Sequence, residues 1–101
     1  MRFIFNKKKL EDLYYKEKGA HKYPPEVVDA FFDVMTVIQS AIDIRDLYNL
    51  KSLHFEKLKG DRKEEHSMRL NRQYRLTMRL EKDEKGILLI ILNIEDYHGW
   101  C

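Results

Sequence analysis

Two short runs of side chains could carry acid–base chemistry. The run Asp96-Tyr97-His98 supplies a carboxylate, a phenol and an imidazole directly after a strongly apolar segment, and a second run extends from His54 to Lys59. RNA cleavage without a metal needs a base for the 2′-hydroxyl proton, an acid for the departing oxygen and cations for the charge on phosphorus, roles that His, Tyr and Lys can fill. Taken alone, such residues more often have surface or packing roles.

Basic side chains are concentrated in one part of the chain. The 101 residues contain 19 Lys and Arg against 17 Asp and Glu, a formal net charge of +2. Residues 51–79 hold nine basic and four acidic side chains, whereas residues 23–50 hold one basic and five acidic. A segment this basic can bind phosphate, and a solvated charged face is the alternative explanation. The near-neutral total therefore conceals a candidate nucleic-acid surface.

Several other kinds of site are missing from the sequence. The four glycines are scattered, so no phosphate-binding loop is present. The single cysteine, Cys101, can form neither an internal disulfide nor a zinc knuckle, and the four histidines have no metal-ligand spacing. We therefore predict no metal and no cofactor. The sequence also lacks a signal peptide and an apolar run long enough to span a bilayer, which favours a cytoplasmic protein with no membrane partner.

The first half of the chain shows helical periodicity. Residues 2–5 are a candidate edge strand, and residues 7–18 carry apolar side chains at the spacing of an amphipathic helix that ends before Gly19. A second and longer helix is predicted from Pro25, because proline suits the first helical turn and a broad apolar face runs from Val27 to Ala41.

The second half alternates with period two and predicts strands. Residues 66–70 and 74–80 form a hairpin closed at 71–73, and residues 82–86 form a second turn that leads into a covered strand over 87–94. One face of the hairpin receives Arg69, Arg75, Thr77 and Arg79. The fold class is therefore α+β, with two N-terminal helices packed on a small antiparallel sheet, in a single domain over residues 1–101.

Three segments together resemble a known family. They are His54 with Leu58-Lys59-Gly60-Asp61-Arg62, then His66-Ser67-Met68-Arg69-Leu70-Asn71-Arg72-Gln73-Tyr74-Arg75-Leu76, and the terminal Asp96-Tyr97-His98. In this order they are similar to the HigB branch of the RelE/ParE toxin superfamily, and the resemblance covers nearly the whole chain. The tail Gly99-Trp100-Cys101 extends past the point where many members stop.

The resemblance implies a toxin of a type II toxin–antitoxin system. Such a toxin is a metal-independent endoribonuclease, or mRNA interferase, that cuts messenger RNA on the translating ribosome in the cytoplasm. Its partners are the ribosome, the mRNA and a HigA-like helix-turn-helix antitoxin with which it forms a heteromeric complex.

The resemblance also assigns site residues. The implied catalytic residues are His54, Lys59, Asp96, Tyr97 and His98. The implied RNA-binding residues are Lys57, Arg62, Arg69, Arg75 and Arg79. Lys59 matches the family lysine by its position before Gly60, and Lys57 matches it by distance from His54, so both remain candidates. Which of His54 and His98 is the base also stays open.

Two other functions remain open at this level. A toxin of the ParE branch acts on gyrase by binding, although that branch generally lacks the His and Lys set. A plain interaction module would use the basic segment only to bind an acidic protein.

Overall fold

The computed structural model describes residues 1–62 and 64–96. The predicted catalytic residues Tyr97 and His98, and the tail Gly99-Trp100-Cys101, lie outside the described residues. The strands are β1 (Arg2–Phe5), β2 (Glu56–Lys57), β3 (Glu65–Arg69), β4 (Tyr74–Asp83) and β5 (Gly86–Asp96), and the α-helices are α1 (Lys8–Lys16), α2 (Pro25–Ser40) and α3 (Ile44–Asn49). Within the described ranges, no helix has the length and apolar character needed to cross a membrane.

The strands form one sheet in the order β1-β5-β4-β3-β2. Strands β2 to β5 pair antiparallel through successive connections, as the alternating pattern predicts. The predicted edge strand β1 is present, but it pairs parallel to β5, so the sheet is mixed and not wholly antiparallel. A parallel neighbour requires a long crossover connection, and the helical layer between β1 and the later strands provides it.

Helix α2 contributes the largest apolar surface of the helical layer. Pro25 occupies its first turn as predicted, and Val27, Phe31, Met35 and Ile38 are completely buried along one face. They pack with Leu10 and Leu13 of α1 against strand residues that include Met68, Leu76, Met78, Leu89 and Ile91. This packing confirms the α+β class and places the apolar core on one side of the sheet.

Helices α1 and α2 each end before the last residue of the segment whose apolar pattern predicted them. Helix α1 ends at Lys16 because Glu17 adopts a left-handed conformation with φ of 53°, and the Lys18 N–H then donates to the Asp12 carbonyl. Helix α2 ends at Ser40, and α3 begins after Asp43, whose side chain caps it reciprocally with Asp46. The chain between α2 and β3 therefore contains the short helix α3 and the two-residue strand β2.

One turn and one bulge set the register of the central strands. The Asn71 side chain accepts hydrogen bonds from the backbone N–H groups of Gln73 and Tyr74 at 2.8 and 2.7 Å, which closes the β3–β4 hairpin as an Asx turn. A bulge follows Thr77 in the pairing of β4 with β5. Beyond it, Arg79 lies opposite Ile90, whereas Thr77 lies opposite Asn93.

Candidate functional site

The face of the sheet opposite the helices carries a polar cluster. Cross-strand pairing places Arg69, Arg75 and Glu95 in one row at the end of the sheet. The next row contains Ser67, Thr77 and Asn93, with Glu56 of β2 beside Ser67. Directly paired residues project to the same face of a sheet, so these side chains share one surface.

Much of this face is buried, although alternation alone predicts a solvated surface. Ser67, Arg75 and Thr77 are 1%, 4% and 0% exposed. The chain from His54 to Arg62 is attached to this cluster at both ends, since the His54 carbonyl accepts from Arg75 and Arg62 donates to Glu95. We call residues 54–62 the covering segment. The sequence pattern contains no sign of it, since its contacts join residues far apart in the chain.

Arg75 supports the start of the covering segment. Its guanidinium donates to the His54 backbone carbonyl at 2.8 Å and approaches the Glu56 carboxylate at 3.5 Å. The Arg75 side chain is 5% exposed, and that of Glu56 is 56% exposed. His54 itself is exposed and lies in the left-handed region, with φ and ψ both 49°. The geometry therefore gives Arg75 a supporting position beneath His54, in contrast to the open phosphate-facing position predicted from alternation.

Arg62 binds two carboxylates at the other end of the covering segment. It donates to Glu95 at 2.8 and 2.6 Å and to Glu65 at 2.6 and 3.1 Å. The hydrogen bonds to Glu95, and then those to Glu65, raise the pKa of the Arg62 guanidinium. Burial raises the pKa of Glu95, but hydrogen bonds from Arg62 and Thr77 outweigh it and leave the pKa below its ordinary value.

Asp96 ends β5 beside this cluster. It pairs with Tyr74 across the strands, its side chain is exposed, and it accepts a hydrogen bond from the Gln73 amide at 3.1 Å. The adjacent residue Glu95 pairs with Arg75, which in turn binds the His54 carbonyl. The structure thus brings His54 and Asp96, which are 42 positions apart in the sequence, to the same end of the sheet.

The two candidate lysines occupy different settings, although both are exposed. Lys57 pairs with His66, so its side chain projects to the face that the helices cover and away from Arg75. Lys59 lies between β2 and the 3-10 turn Gly60–Arg62, where Gly60 has φ of 72°. The register places Lys57 on the side of His66 and assigns no face to Lys59, so both lysines stay candidates.

The other two predicted RNA-binding arginines, Arg69 and Arg79, lie in different rows of the polar face. Arg69 is exposed at the end of β3, next to Arg75, and its Nε donates to the Asn71 carbonyl at 3.3 Å. Arg79 lies two rows further along β4, opposite Glu65 and Ile90, and its Nε is 3.3 Å from Glu81. Arg69 is therefore an exposed arginine at the end of the sheet where His54 and Asp96 lie.

Carboxylates reduce the net positive charge of the basic segment. Glu65 and Glu95 face Arg62, Glu56 faces Arg75, and Glu81 faces Arg79. Fewer cations than the composition suggests are therefore available to meet phosphate. Among residues 1–62 and 64–96, no group of three or more His, Cys, Asp or Glu side chains is arranged to hold a metal ion.

Comparison with known families identifies the chain. A family model described as the RelE-like toxin of the type II toxin–antitoxin system HigB matches residues 3–98. The chain belongs to this family of HigB-like toxins. A type II toxin has an antitoxin partner, so the family also implies one for this chain.

Solved structures agree with the fold of a HigB-like toxin. The YoeB/ParE toxin from Agrobacterium tumefaciens superposes with a TM-score of 0.57 at 17% identity, over 97% of this chain and 100% of that one. A search of the curated proteins gives no match. The structural likeness supports the α+β architecture predicted from the sequence.

Sequence reasoning placed Thr77 on this toxin's polar face but did not assign its two carboxylates, Glu56 and Glu95, to the site. Glu56 approaches Arg75, and Glu95 accepts hydrogen bonds from Arg62 and Thr77. Alternation along β5 could have indicated Glu95, because it follows Asn93 by two positions and therefore shares its face. The partnership of Glu95 with Arg62 carries no sequence signal, since 33 positions separate the two residues.

His66 should make the stability of this HigB-like toxin depend on pH. It is 8% exposed, stacks on Phe55 at 4.9 Å and lies 3.2 Å from the Tyr48 hydroxyl. Burial, and then the positive charge of Lys57, lower its pKa. The unfolded chain therefore binds the proton more readily, and we expect stability to fall as pH drops below about 6.5, by at most about 1.4 kcal/mol per pH unit from this group.

Urea denaturation at pH 5 to 7.5 measures this effect. His66→Phe should flatten the pH dependence between pH 5 and 6.5 while the ring stacking on Phe55 is retained. His21→Phe is the matched control, because His21 is an exposed histidine in the turn after α1. Equal pH profiles for wild type and His66→Phe would contradict the prediction.

Proposed function

We propose that this HigB-like toxin is a ribosome-dependent mRNA endoribonuclease that cleaves without a metal. The observation that carries the proposal is that His54 and Asp96 lie at the same end of the sheet, linked through Arg75 and the β4–β5 pairing. His54, Arg69 and Asp96 are exposed at this end, and Lys59 is exposed after β2. It therefore offers acid–base groups and cations on an accessible surface, as phosphodiester cleavage requires.

The proposed chemistry is attack by the 2′-hydroxyl on the adjacent phosphorus. One of His54 and His98 accepts the 2′-hydroxyl proton, and the other donates a proton to the departing 5′-oxygen. Asp96 orients a histidine, and Tyr97 positions the substrate or serves as a second proton donor. Lys59 and Arg69 stabilise the charge that develops on the phosphate. The products are a 2′,3′-cyclic phosphate and a 5′-hydroxyl.

The proposed setting is the cytoplasm, with the ribosome and mRNA as targets and a HigA-like helix-turn-helix protein as the antitoxin. Lys57, Arg62, Arg69, Arg75 and Arg79 are the RNA-binding residues that the resemblance implies. Among these arginines, Arg69 is the strongest candidate for direct phosphate contact, because its side chain is exposed and lies in the same row as Arg75. Contact through exposed cations should weaken as salt concentration rises.

The deciding experiment incubates the purified toxin with programmed ribosomes and maps the mRNA ends. Wild type should cut mRNA only when ribosomes are present, leaving 5′-hydroxyl ends. His98→Ala and Asp96→Ala should lose cleavage and no longer arrest growth, with the fold retained. Inhibition of purified gyrase without mRNA cleavage, or folded variants with undiminished toxicity, would overturn the proposal.

A further inference from the structure

Arg62 and Glu95 join two chain segments that the proposed reaction needs to keep together. Arg62 is the last residue of the turn Gly60–Arg62. The exposed Lys59 directly precedes this turn. Glu95 directly precedes Asp96 at the end of β5. Two parallel hydrogen bonds of 2.8 and 2.6 Å connect the Arg62 guanidinium to the Glu95 carboxylate. Such a two-point contact fixes orientation as well as distance.

Both partners of this contact are oriented by further hydrogen bonds. The buried Thr77 hydroxyl donates to Glu95 at 2.7 Å, and Glu65 accepts from Arg62 at 2.6 and 3.1 Å. The side chains of Arg62 and Glu95 are 36% and 22% exposed. An arginine held by two carboxylates in a partly buried site has little positive charge left to offer a phosphate. Its geometry is that of a support between the turn and the strand.

We propose that Arg62 and Glu95 form a positioning pair that holds the turn carrying Lys59 against the strand end carrying Asp96. The proposal rests on the proposed nuclease function, and it assigns Arg62 a role through other residues in place of direct contact with RNA. Neither residue needs to touch the reacting phosphate. Their effect arises because a displacement of about 1 Å at a catalytic site can cost about 10²-fold in rate.

Glu95→Gln separates this role from direct RNA binding by Arg62. If Arg62 contacted phosphate, removing the Glu95 charge would free its guanidinium and strengthen binding to the ribosome–mRNA complex. In a positioning pair, the same change weakens the two-point contact, so cleavage slows. Arg62→Lys provides the complementary change, because lysine keeps the charge but cannot reproduce the paired hydrogen bonds.

The experiment measures kcat and KM for cleavage of ribosome-bound mRNA. We expect Arg62→Lys and Glu95→Gln each to lower kcat about 10- to 100-fold while KM changes less than about threefold. The matched controls are Arg2→Lys and Asp83→Asn. Arg2 and Asp83 form a similar two-point contact of 3.1 and 2.6 Å at the far end of the β4–β5 hairpin. These controls should retain wild-type kcat and KM.

Amide hydrogen exchange of the same variants gives a readout independent of activity. Backbone amides of residues 59–62 should exchange at least about threefold faster in Arg62→Lys and Glu95→Gln, and at the wild-type rate in the two controls. If the two variants exchange faster but the wild-type protein cleaves no mRNA, the nuclease function is refuted, and the pair is still shown to hold the turn. Unchanged exchange, or a raised KM with unchanged kcat in Arg62→Lys, would overturn the positioning role.

Discussion

The His54→Asn variant should cleave ribosome-bound mRNA about 10²- to 10⁴-fold more slowly than wild type, the usual contribution of a general acid or base. His54 is exposed, and its backbone carbonyl accepts from Arg75 at the same end of the sheet as Asp96. Asparagine tolerates the left-handed conformation of this position better than most residues do. It also leaves the backbone carbonyl that accepts from Arg75. The substitution therefore removes the imidazole with little change to the backbone.

Single-turnover cleavage rates and urea denaturation curves together test this prediction. His21→Asn is the matched control, since His21 is an exposed histidine outside the polar face, and it should cleave at the wild-type rate. The His54→Asn protein should unfold within about 0.5 kcal/mol of wild type, as expected of an exposed side chain. An active and folded His54→Asn protein would refute the catalytic assignment of His54.

Replacing Arg75 by methionine should destabilise the fold by about 1.5 to 3 kcal/mol, the range for loss of a hydrogen bond from a charged donor. Methionine can fill much of the buried volume, but it cannot donate to the His54 carbonyl. That carbonyl then loses a partner at a position already in the left-handed region. Cleavage should also fall, because the backbone that presents His54 loses its support.

Arg69→Met is the control for Arg75→Met. The two arginines are direct neighbours across β3 and β4, and Arg69 is exposed whereas Arg75 is buried. We expect Arg69→Met to change stability by less than about 0.5 kcal/mol. Urea denaturation at pH 7 distinguishes the two cases. Equal loss of stability in both variants would show that burial of Arg75 does not govern its contribution to the free energy of unfolding.

The pattern of apolar residues was sufficient to predict most of the fold. Period-two spacing predicted β3 and β4, the apolar run over 87–94 predicted β5, and helical spacing with Pro25 predicted α2. The parallel pairing of β1 was not predictable in this way. A four-residue edge strand alternates identically whether its neighbour runs parallel or antiparallel, and the connection through the helices decides the direction.

The polar face shows what the sequence pattern could and could not predict about the candidate site. Alternation correctly grouped Arg69, Arg75 and Thr77 on one face of the sheet. It could not reveal that Arg75 is buried while Arg69 is exposed, because the setting of Arg75 depends on contacts such as its hydrogen bond to the His54 carbonyl. Which arginine supports the site and which can meet a phosphate thus depends on contacts between segments far apart in the chain.

The sequence by itself determined the α+β class, the basic segment and the residue types of a candidate acid–base site, together with the resemblance to HigB-like toxins. These properties follow from local periodicity, composition and motif order. Only the tertiary structure decided that His54 and Asp96 lie at the same end of the sheet, and that Arg62 is held by Glu65 and Glu95. The physical reason is that hydrogen bonds of a side chain depend on proximity in space, and packing of the covering segment on the sheet creates that proximity.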